Sequence, residues 1–119
     1  MKSPKRLKGF ISPSHRRAPK QESEIAKRIK GRCTVGSGNK DEKGDVRLKG
    51  VCRIEAKTTK HNSFSVTQKI LDQIETAALS SGTGELPVLI IEFIDEKGNP
   101  KRSIAVTPTW VLDIITQQK

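Results

Sequence analysis

Asp45, Glu55 and Lys57 sit where two carboxylates and an amine could share one edge of a hairpin, with Glu22 available from upstream. The stretch 44–57 predicts an antiparallel pair turning on Lys49-Gly50-Val51, where Gly50 supplies the positive φ that a three-residue loop needs. That register sets Leu48 opposite Cys52, Val46 opposite Ile54 and Asp45 opposite Glu55. Strand alternation then puts Val46, Leu48, Cys52, Ile54 and Ala56 on a core face, and Asp45, Arg47, Arg53, Glu55 and Lys57 on the other. Like charges directly opposite one another are destabilising. Two facing carboxylates therefore suggest a cation between them, and hard oxygen ligands suit Mg²⁺, with Mn²⁺ as substitute. Lys57, on the same face as Glu55, is placed to orient or deprotonate water there. The same pattern also fits a solvated hairpin face carrying charges of both signs.

The elements that must position these groups follow in chain order. Residues 1–20 contain three of the six prolines and no acid, and read as a flexible basic arm. Of the net charge of +10, seven cations lie in that arm, leaving +3 for the rest. A basic arm ahead of a mildly basic domain points to a polyanion, with DNA or RNA before a membrane surface. Arg16 and Arg17 belong to this arm as candidate phosphate contacts. From residue 21 to about 30, Ile25, Ala26 and Ile29 share one face of a short helix, with Glu22 and Glu24 in its first turn. Residues 32–35 predict a short strand. Gly36-Ser37-Gly38-Asn39 and Lys40 then offer small residues, a hydroxyl and a cation to a phosphate, though ordinary turn chemistry reads the same way.

After the hairpin, the polar loop 58–65 carries Lys60 and His61, a further phosphate contact and a possible acid–base group. Residues 68–80 predict a helix with Val66, Ile70, Leu71, Ile74, Ala77 and Ala78 toward the core. The run 87–94 is nearly all apolar and fits a strand buried on both faces, with Glu92 turned toward its end. Residues 102–106 form its antiparallel partner. Trp110, Val111, Ile114 and Ile115 are expected to bury one face of a last short helix. The order is helix, three strands, helix, two strands, helix: one mixed α/β domain spanning 21–119.

Cys33 and Cys52 lack metal-ligand spacing, as do His15 and His61, so the cysteines read as small buried hydrophobes rather than zinc ligands. The longest apolar run is too short to span a bilayer, and the chain reads as an intracellular protein without a membrane partner or small-molecule cofactor.

Glu22, the Gly-Ser-Gly-Asn loop, Gly44-Asp45 and, after nine intervening residues, Glu55-Ala56-Lys57 resemble the PD-(D/E)xK nuclease superfamily, most closely the small Holliday junction resolvases of archaea and phages. The match covers roughly residues 21–80, with the strand at 88–94 also in its expected place. Gly precedes Asp45 where many members have Pro, and the terminal strand and Trp110 helix fall outside the match. The resemblance implies a restriction-endonuclease-like core and metal-dependent hydrolysis of DNA phosphodiesters, most of all at four-way junctions. It implies Asp45, Glu55 and the Ala56 carbonyl as metal ligands, Glu22 (Glu24 the fallback) as the helix acid that holds a metal-bound water or completes a second metal site, and Lys57 as the lysine of the motif. Ser37, Lys40, Lys60 and the arm would contact phosphates, and two cuts at one junction imply a homodimer. Two alternatives stay open: a nicking or non-specific nuclease, and a non-catalytic basic nucleic-acid-binding protein.

Overall fold

A computed structural model of the chain describes residues 12–34 and 45–117. Helix α1 (Pro13–Ile29) leads to strands β1 (Arg32–Cys33), β2 (Val46–Leu48) and β3 (Cys52–Thr59). Helix α2 (Gln68–Leu79), strands β4 (Leu86–Ile94) and β5 (Pro100–Val106), and helix α3 (Thr109–Thr116) follow. The five strands form one sheet in sequence order. All neighbours are antiparallel except β3 and β4, which run parallel because α2 carries the chain back between them. This is the expected α/β layout, a mixed sheet flanked by helices in the order αβββαββα. No helix of the described residues is long and apolar enough to cross a membrane.

The hairpin has the expected register: Val46 faces Ile54 and Leu48 faces Cys52, with Gly50 at φ 79° in the turn. Val46 and Ile54 pack with Ile25 of α1 into one core layer, and Ile74 of α2 packs on Leu89 and Ile91 in the layer on the other face. Covered on both sides, β4 needs no polar face, which accounts for its apolar run. The last residue of α1 is followed by Lys30 in the left-handed region and then Gly31. A Cβ on Gly31 would stand 2.4 Å from the Arg47 carbonyl oxygen, so only glycine lets α1 turn this tightly onto β2.

Several expectations are corrected. Helix α1 starts at Pro13, not near residue 21, so residues 13–20 are helix rather than flexible arm; residues 1–11 lie outside the described residues. Ser12 caps it by accepting from the His15 N–H at 3.2 Å, and Pro13 occupies the first turn, where its missing N–H costs nothing. Glu22 and Glu24 consequently lie mid-helix, and the helix dipole does not explain them. The C-terminal helix buries only Val111. Trp110 is 38% exposed, Ile114 37% and Ile115 52%, because a two-turn helix at the rim of the sheet has neighbours on one side only. Val66, assigned to the core stripe, is exposed ahead of α2, and both cysteines are half-buried free thiols.

The hairpin's polar face is corrected as well. Arg47 and Arg53 oppose one another across β2 and β3, yet Arg53 is buried. Glu85, just before β4, lies between them and accepts from Arg47 Nε at 2.8 Å and Arg53 Nε at 2.9 Å. It also accepts from the Gly50 N–H at 3.0 Å and the Thr83 hydroxyl at 2.8 Å. Burial pushes the Glu85 carboxyl up, but these donors together outweigh it and bring the pKa to about 2. A carboxyl depressed on folding adds stability that is complete above its ordinary value near 4.5 and is lost as pH falls through about 2. Glu85→Gln is expected to cost about 3 kcal/mol in urea denaturation at pH 7, because two guanidinium groups lose their counter-charge. Its stability should change less than wild type between pH 4.5 and pH 2; equal losses there would show that Glu85 does not anchor the hairpin.

Candidate active site

Helix α1 presents Arg17, Gln21 and Ile25 to the sheet at intervals of four, one buried stripe. Arg17 donates to Glu92 of β4 at 2.5 and 2.9 Å and also pairs with Glu24. Gln21 Nε2 donates to the Lys57 carbonyl at 3.0 Å, tying the helix to the strand that bears the Glu-x-Lys sequence. Glu22, next to Gln21 and half-buried, is thereby held over the start of the hairpin.

Asp45, just before β2, is held in an unusual way. Its N–H donates to the Ile54 carbonyl at 2.7 Å, its carbonyl accepts from the Thr34 N–H at 3.0 Å, and its Oδ2 accepts from the Ala56 N–H at 2.7 Å. The carboxylate thus takes the place of a strand carbonyl, which fixes its position and leaves Oδ1 for other work. Glu55 and Lys57 point to one face of β3, with Lys57 Nζ 3.4 Å from Glu55 Oε2.

These acids feel one another. Burial, then Asp45, then Glu55 push the Glu22 carboxyl up to about 7. Burial raises Asp45, against the Ala56 N–H and Lys57. Burial and Asp45 raise Glu55, against Lys57. Burial, Glu22 and Asp45 also raise the Cys33 thiol, which places that side chain in the same field. The structure therefore brings Glu22, Asp45, Glu55 and Lys57 within electrostatic reach of one another. Among the described residues no three His, Cys, Asp or Glu side chains form a ready-made metal-holding group. The donor set is nonetheless of the right chemistry for Mg²⁺, which is ordinarily held by one or two carboxylates and keeps several waters.

A cleft of about 510 Å³ opens between Glu55 and Lys57 and one side of α2, where Lys69, Asp72, Gln73 and Thr76 line it. These four were missed from sequence, although their spacing (i, i+3, i+4, i+7) marks a second, polar stripe beside the apolar one.

The remaining candidates divide. Glu24 turns to Arg17, whose hydrogen bond holds its carboxyl below the ordinary range, so it is not the helix acid of the cluster. Arg17 is corrected from phosphate contact to structural residue, since it is buried and shared between Glu24 and Glu92. The same bonds correct Glu92, which faces α1 and not the strand end. Arg16 and Lys60 are exposed. Ser37 and Lys40 lie outside the described residues. No family model, curated protein or solved structure matches the chain.

Without divalent cations, Asp45→Asn is expected to lower the Glu22 pKa from about 7. It should stay above the ordinary carboxyl value, because burial is the larger cause and remains. Carboxyl-carbon NMR titration reads this directly, and an unmoved Glu22 would mean the two acids do not interact.

Proposed function

We propose that the chain is a metal-dependent DNA endonuclease with a restriction-endonuclease-like core, acting on four-way junctions as a homodimer. The observation that carries the reading is the electrostatic coupling of Glu22 and Asp45 with Glu55, which together with Lys57 lines an open cleft against α2. Acids crowded together against their own repulsion, in a partly buried site, are more characteristic of a functional centre than of a solvated face. The resemblance of these same four residues to the PD-(D/E)xK pattern supports it further.

Asp45 and Glu55, with the Ala56 carbonyl, are the groups to hold Mg²⁺ or Mn²⁺, which when bound supplies Lewis-acid polarisation of the scissile phosphate. The reaction bonds a water oxygen to phosphorus as one P–O ester bond breaks, leaving a phosphate monoester and a free hydroxyl. Glu22, held near the acids that would carry the metal, is the group to hold the attacking water and accept its proton. Lys57 faces the negative charge developing on the phosphoryl oxygens, while its pairing with Glu55 keeps the ammonium at the cleft. Lys60 and Arg16, both exposed, are positioned to hold phosphates without reading bases. One chain contributes one such centre, so paired cuts across a junction require two copies related by a two-fold axis.

The test is cleavage of a labelled four-way junction beside a linear duplex of the same sequence, with Mg²⁺ and with EDTA. Wild type should cut the junction symmetrically near its branch only with metal. Asp45→Asn, which keeps an acceptor for the Ala56 N–H, and Lys57→Ala should each lose on the order of 10²–10³ in rate while remaining folded. Equal cutting of both substrates would keep the nuclease and remove the junction preference. DNA binding without cleavage by folded wild type would favour the non-catalytic binding protein instead.

A further inference from the structure

A second cleft, of about 380 Å³, lies between the loop after β3 and the outer strands, lined by His61, Asn62, Phe93, Lys101 and Arg102. No acid lines it. Among the described residues neither Lys101 nor Arg102 makes an ion pair. Consecutive residues of a regular strand point to opposite faces, so Lys101 and Arg102 ought not to share a cleft. They do because β5 is irregular here. Arg102 stands opposite Phe93 and Pro100 opposite Ile94, which leaves Lys101 as an extra residue with no opposite number on β4. A bulge of this kind re-aims a side chain, and here it adds a second cation to the cleft that Arg102 already lines.

The cleft also stands in register with the carboxylate site. Glu55, Lys57 and Thr59 alternate onto one face of β3; Thr59 faces Phe93, and Phe93 faces Arg102. Four residues of strand separate Glu55 from the Phe93 row, about 13 Å. A duplex rises about 3.4 Å per base pair, so a strand lying over Glu55 reaches the second cleft within roughly four pairs. The volume admits a nucleotide unit, and half-buried Phe93 offers a face on which a base or sugar can rest.

We infer that the His61–Phe93–Lys101–Arg102 cleft holds a backbone phosphodiester of the nucleic acid bound at the carboxylate site, a few nucleotides from the bond to be cut. The inference rests on the nucleic-acid reading above but not on catalysis. Lys101 and Arg102 supply charge to the phosphate, His61 and Asn62 supply donors, and the bulge brings the two cations together. None of the four touches the carboxylates, so the cleft contributes affinity and register rather than rate at saturation.

The experiment measures binding of a labelled duplex in EDTA by fluorescence anisotropy across a salt series. It compares wild type, Lys101→Gln/Arg102→Gln, and a charge-matched control, Lys27→Gln/Lys30→Gln, at exposed positions of α1 and its cap. The cleft variant should bind on the order of tenfold more weakly, with its salt slope reduced by about two, and the control should change little. With Mg²⁺, its cleavage rate at saturating DNA should match wild type. An unchanged slope, or equal losses in both double variants, would overturn the inference. So would failure of wild type to bind DNA, or a cleft variant that loses deoxynucleoside monophosphate binding while keeping duplex affinity. A wild type that binds through these cations and never cuts would sink the nuclease and leave the cleft standing.

Discussion

The sheet depends on one buried carboxylate. Arg47 and Arg53 face each other across the hairpin, a pairing that alone would push the strands apart. Glu85 converts it into an attraction, and because Glu85 immediately precedes β4 it also sets where that strand begins beside β3. Its bond to the Gly50 N–H reaches into the hairpin turn itself. One side chain thus ties the turn, both hairpin strands and the parallel neighbour together. The register that puts Asp45 beside the end of Ile54 and Ala56, and Glu55 on the open face, follows from that tie.

Helix α1 is fixed at two further points. Arg17 joins its N-terminal half to Glu92 near the far end of β4, and Gln21 holds the Lys57 carbonyl. Between these polar fasteners and the apolar contact of Ile25 with Val46 and Ile54, the helix has little freedom to slide or rotate. Half-buried Glu22 is rigidly delivered as a result. A buried ion pair is weak evidence for net stability, since desolvation consumes much of the attraction. Its clearer consequence here is positional.

Much of this was legible in the sequence, and the misses have specific causes. The hairpin register could be read because period-two alternation and a glycine turn constrain it strongly. The convergence of Glu22 with the hairpin acids could be reached only by resemblance, since nothing local says which way a helix will lie across a sheet. Residues 13–20 were misread because Pro13 and Pro19 look like breakers, yet Pro13 sits in the first turn and Pro19 is tolerated in a helix pinned by Arg17. Arg53 reads as part of the hairpin's polar face and Glu92 as turned toward its strand end, because their buried partners are 32 and 75 residues away in sequence. The last helix was assigned a core face from its apolar content, which records what could be buried and not what is available to bury it.

Glu22 and Glu85 show how far environment separates two identical side chains. Glu85 is buried among donors and stays ionised down to about pH 2, which spends its charge on holding the hairpin and leaves nothing to exchange a proton at neutrality. Glu22 is buried among acids, and its carboxyl rises to about 7. A carboxyl raised on folding opposes the folded state progressively as pH climbs through its ordinary value, so this arrangement is a burden at neutral pH unless something offsets the crowding. The Gln21 bond to the Lys57 carbonyl and the Asp45 bond to the Ala56 N–H hold the acids near one another rather than let them separate. Positioning bonds that maintain an unfavourable cluster make sense when the cluster has a counter-charge to meet, and the proposed function supplies one in a divalent cation.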